Sequence, residues 1–72
     1  MINLEIQIKK MEGRLEVYEN MLSEAKAYQR QYHVGSSEYS YYGGRVGSML
    51  AIIGDVEEYI EDLELIQKGE IT

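Results

Sequence analysis

The sequence contains no cysteine, proline, tryptophan or phenylalanine. Without cysteine there is no disulfide framework, no thiolate ligand for zinc and no thiol nucleophile. The only aromatic rings are seven tyrosines. Bases are scarce: seven Lys and Arg stand against thirteen Asp and Glu, for a net charge of −6 and a pI near 4.6. That balance argues against direct nucleic-acid binding by phosphate neutralisation, and against a polybasic membrane anchor. No apolar run approaches the ~18 residues of a membrane span. The N-terminus lacks a basic segment followed by an apolar block, so no signal peptide is expected and the expected location is cytoplasmic. Seventy-two residues hold at most one small domain, near the lower limit for a self-sufficient core.

What the sequence does contain is periodicity. Leu4, Ile8, Met11, Leu15, Tyr18, Leu22 and Ala25 are spaced alternately by four and three, and the phase continues through Gln29 to Tyr32. Tyr39, Tyr42, Val46, Met49, Ile53, Val56, Ile60 and Leu63 repeat the pattern. Sustained 3.5-residue spacing specifies amphipathic helices packed as a coiled coil. Ile8, Leu15 and Leu22, then Val46, Ile53 and Ile60, take heptad position a. Met11, Tyr18 and Ala25, then Met49, Val56 and Leu63, take d.

Between the seams, Gly35 suits a left-handed helix stop, with His33 in the preceding turn. Ser36 or Ser37 suits the next N-cap, with Glu38 in the first turn. Lys68 followed by Gly69 suits a second stop. The expected helices run from about 3 to 33 and from 37 to 68, joined by a turn of a few residues. A connection that short makes them antiparallel. Gly43, Gly44 and Gly47 each cost a helix about 1 kcal/mol relative to Ala, which leaves a longer loop over 34–43 as the alternative to one continuous helix. Gly47 and Gly54 share a face where a neighbouring backbone has room to approach.

The fold class is therefore all-α: an antiparallel two-helix hairpin, expected to dimerise into a four-helix bundle. The apolar stripes are wider than one seam requires. Met21, Ile52, Tyr59 and Ile66 flank the seams at g positions, and Leu50 does so at an e position. These five are the expected dimer interface, and a homodimer is the first expected partner.

Charge is uneven along the chain. Residues 1–35 balance to zero, so residues 36–72 carry the whole −6. Asp55, Glu57, Glu58, Glu61, Asp62 and Glu64 form an acidic run that antiparallel pairing brings beside Lys9, Lys10 and Arg14. The run is either a solvated face balanced by those bases or a ridge that docks on a basic protein surface, such as that of a nucleic-acid-binding protein. Tyr28, Tyr32, Tyr39, Tyr41 and Tyr42 cluster at the turn. Tyr32, Tyr39 and Tyr42 suit closure of the core, whereas Tyr28 and Tyr41, with Arg30 and Arg45, suit a partner-binding tip.

No catalytic residues, cofactor site or metal site are expected. Gly43-Gly44-Arg45-Val46-Gly47-Ser48 lacks the Lys-Ser/Thr ending and preceding strand of a phosphate loop. The single histidine, His33, has no partner for general-base work and lies far from the acidic run, where bundle metal sites want a Glu-x-x-His pair.

The segments Tyr41-Tyr42-Gly43-Gly44-Arg45-Val46, Met49-Leu50-Ala51-Ile52-Ile53 and Glu57-Glu58-Tyr59-Ile60 resemble the second helix of short acidic coiled-coil hairpin proteins of Gram-positive phages and prophages. The resemblance implies a small inhibitor of host machinery, for instance of a bacterial defence nuclease, acting in the host cytoplasm. Helical-hairpin phosphatases of sporulation phosphorelays are a second comparison. Their Ser-Gln-Glu-Leu-Asp signature is replaced here by Gly47-Ser48-Met49-Leu50-Ala51. The expected function is a non-catalytic protein–protein interaction module, with a purely structural self-oligomerising coiled coil as the alternative.

Overall fold

The computed structural model describes residues 3–69. It consists of two helices packed against each other, α1 (Leu4–Gln29) and α2 (Ser37–Gln67), with no strand among the described residues. The rod measures 50 × 18 × 15 Å. α1 starts at Asn3, whose side-chain carbonyl accepts hydrogen bonds from the Glu5 and Ile6 amides at 2.9 and 3.4 Å. α2 starts at Ser36, whose hydroxyl accepts from the Tyr39 amide at 3.1 Å and donates to the His33 carbonyl at 2.8 Å. These caps satisfy amides that the helices themselves leave without acceptors.

The seam is the one specified by the heptads. Ile8, Ala25, Ile53, Ile60 and Leu63 are buried, and Leu4, Met11, Leu15, Tyr18 and Leu22 are half-buried at the alternating spacing. Ile8, Ile60 and Leu63 form the tightest cluster, packed round by Leu4, Met11, Leu15 and Val56. Among the described residues no side chain is fully sealed from solvent. A two-helix layer has no second layer to cover its flanks.

The connection differs from expectation. α1 stops at Gln29 and not near 33, so seven residues, 30–36, make the reversal. The chain tightens into i→i−3 bonds as it leaves the helix, from the Gln31 amide to Tyr28 and from the Tyr32 amide to Gln29. Gly35 is left-handed, at φ +94°, but it shapes the approach to the Ser36 cap and does not terminate α1. At the far end Lys68 is the C-cap and Gly69 is left-handed, at φ +79°.

The glycine-rich segment is helical, and α2 begins at Ser37, so the alternative loop over 34–43 does not form. Gly43 has a packing role. A Cβ there would lie 2.9 Å from Gln29 Nε2. That amide donates to the Tyr39 carbonyl at 3.4 Å, giving a polar seam residue an internal partner. Gly47 and Gly54 face open space, so neither admits a neighbouring backbone within the chain.

Candidate functional site

The hairpin has two unlike sides. With a and d turned to the partner helix, g and c fall on one side of the seam and e and b on the other. The register is fixed on the first side, where Gln7 Nε2 donates to the Tyr59 hydroxyl at 2.8 Å, linking g positions of the two helices.

On the e/b side the expected acidic run is redrawn. Glu57 and Glu64 occupy e and Glu61 occupies b, all exposed. Counting from the Gln7–Tyr59 pair, Glu57 falls within about one helical turn of the level of Glu12, and Glu64 of that of Glu5. Glu16 and Glu19 extend the same face, and they too are exposed. A predominantly negative face, built from both helices, results, with Lys9, Lys26 and Lys68 as bases on it. Asp55 and Asp62 are not part of it: both occupy c, on the other side, and Glu58 at f points away from the seam. The expected balancing of the run by bases also changes. Among the described residues the single ion pair is Lys9–Glu5 at 3.7 Å within α1, with both side chains largely exposed. Lys10 at c and Arg14 at g sit on the opposite side. Sequence reading missed Glu5, Glu12, Glu16 and Glu19. The signal was present, since Glu5, Glu12 and Glu19 repeat at the seven-residue interval that separates Glu57 from Glu64.

The g/c side carries charges of both signs, Lys10, Arg14, Asp55 and Asp62 among them, and a set of large apolar side chains. Of the expected dimer residues, Met21, Ile52, Tyr59 and Ile66 lie here, the first two half-buried and the others 43% and 44% exposed. Leu50, 52% exposed, is on the e side and does not join them. Val17 at c, 56% exposed, belongs to this face and was not anticipated.

At the turn end this face deepens into an open groove of about 440 Å³, lined by Met21, Glu24, Ala25, Tyr28, Tyr41, Tyr42 and Arg45. Tyr42 is its floor. Its ring stacks on Tyr28 at 5.4 Å and on Tyr32 at 5.8 Å, and meets Tyr41 edge-on at 5.0 Å. Both arrangements are favoured by the ring quadrupole. Three expected tip residues, Tyr28, Tyr41 and Arg45, converge here. Arg30, the C-cap of α1, is not among the lining residues. Tyr39 and Tyr42 are half-buried, whereas Tyr41 is 60% exposed.

Among the described residues no three His, Asp or Glu side chains converge as metal ligands, and no helix is long and apolar enough to cross a membrane. Compared with protein-family models, curated proteins and solved structures, the chain matches none of them.

Proposed function

We propose that this protein is a non-catalytic protein–protein interaction module, a small regulator or inhibitor that docks its acidic e/b face on a basic protein surface. The observation that carries the reading is the merging of Glu5, Glu12, Glu19, Glu57 and Glu64 into one exposed face of both helices. Carboxylates aligned across a seam repel one another, so the arrangement works against the hairpin's own stability. A cationic partner relieves that repulsion and is steered to the face from a distance. The resemblance to phage hairpin proteins directs the search to host proteins, nucleases with basic grooves among them. Cytoplasmic action in the host bacterium belongs to the same reading.

The test is affinity capture from the native host with wild-type chain beside Glu12→Lys, Glu57→Lys, Glu61→Lys and Glu64→Lys combined. The reading expects a partner retained by wild type, released by high salt and lost with the variant while its helicity persists. Capture indifferent to the reversal defeats it. A second reading, a purely structural self-associating coiled coil, is favoured by the large apolar side chains on the g/c face, and it expects no captured protein besides the chain itself.

A further inference from the structure

We infer that a second copy of this chain covers the g/c face along its whole length, with both turns at the same end of the dimer. The inference deepens the interaction-module reading, because it leaves the acidic face outermost on each copy. Its first support is surface. The chain exposes 5472 Å², whereas a compact monomer of its 8.3 kDa mass would expose about 4,600 Å². The excess is close to the ~800 Å² that each partner contributes to a standard interface. A 50 by 18 Å side of the rod offers an area of that order.

The second support is composition. Among the described residues, Val17, Tyr28, Tyr41, Tyr59 and Ile66 account for five of the nine large apolar side chains left exposed, and all five lie at g or c. The opposite side is excluded, because a two-fold there would press one copy's carboxylates against the other's.

Charge register then chooses the orientation. The turn-end groove places Glu24 and Tyr28 of α1 beside Tyr41 and Arg45 of α2. A two-fold axis along the rod lays α1 of one copy on α2 of the other at the same height. Glu24 then meets the second copy's Arg45, and Tyr28 meets its Tyr41. The opposite orientation, with turns at the two ends, lays like helices on each other and separates Glu24 from the second copy's Arg45.

Val34 lies in the turn, is 82% exposed, and the chain has no native cysteine. A spin label on Val34→Cys therefore reports orientation without disturbing the fold. Pulsed electron–electron resonance should give a distance under about 30 Å, from helices ~10 Å apart plus two label arms. A distance near the 50 Å rod length overturns the orientation. Absence of dipolar coupling overturns the dimer and leaves the face to a different protein. Val17→Glu should abolish the coupling in the labelled chain, and Leu50→Glu should keep it. The reverse outcome would move the interface to the e side. None of these readouts uses the acidic face, so their failure and a failure of partner capture remain separable.

Discussion

At the scale of single residues, Tyr42 holds the turn end together. Its ring touches three other tyrosine rings, and it is the most enclosed of the four. Tyr42→Ala should cost about 2–3 kcal/mol, below the 3–5 of a fully buried ring because Tyr42 is only half-buried. Tyr41→Ala removes one edge contact from an exposed ring and should cost under ~1 kcal/mol. Urea titrations of the two variants check the ordering, and equal losses would contradict it. The glycines divide in the same way. Gly44→Ala enters open space and should gain about 0.5–1 kcal/mol of helix propensity. Gly43→Ala should gain less, since its methyl displaces the Gln29 amide from the Tyr39 carbonyl. Gly35→Ala, at φ +94°, should lose about 1–2 kcal/mol. Thermal melts of the three variants read these signs directly.

At the scale of elements, the seam was legible and the turn was not. Sixteen a and d positions from Leu4 to Leu63, Gln29 included, are buried or half-buried in the phase the spacing gave. Nothing but a 3.5-residue period satisfies so many spacings at once. The end of α1 was misplaced because Gln29 and Tyr32 continue that phase. What stops the helix is the path needed to reverse direction, which leaves no periodic trace. The Asn3 cap was also unread, though Asn is among the best capping residues. The acidic ridge was misdrawn for another reason. Crowding along the chain is not crowding in space, because Asp55 and Asp62 turn to the side opposite Glu57 and Glu64. The corrected geometry makes a prediction of unusual sign. Glu57→Lys turns a repulsion with Glu12 into an attraction and should stabilise the hairpin by a few tenths of a kcal/mol. The gain should shrink as salt is raised, because exposed pairs are screened. A loss of stability at low salt would show that the two residues do not face each other.

At the scale of the whole molecule, two sides of one rod have different chemistry. The g/c side carries apolar groups whose burial lies outside the chain's own reach, and the e/b side carries charge that is best left in water or matched by a cation. The single seam leaves no side chain fully sealed among the described residues, so covering the g/c side would bury apolar area and add a second layer to the core. Dilution should accordingly lower the melting temperature, since association and folding are linked. The most direct measurement is sedimentation equilibrium of the wild-type chain at micromolar concentration, with helicity recorded on the same sample. A helical particle of about twice the 8.3 kDa chain mass is the expected result. A fully helical particle of 8.3 kDa that melts cooperatively and without dependence on concentration would contradict the account.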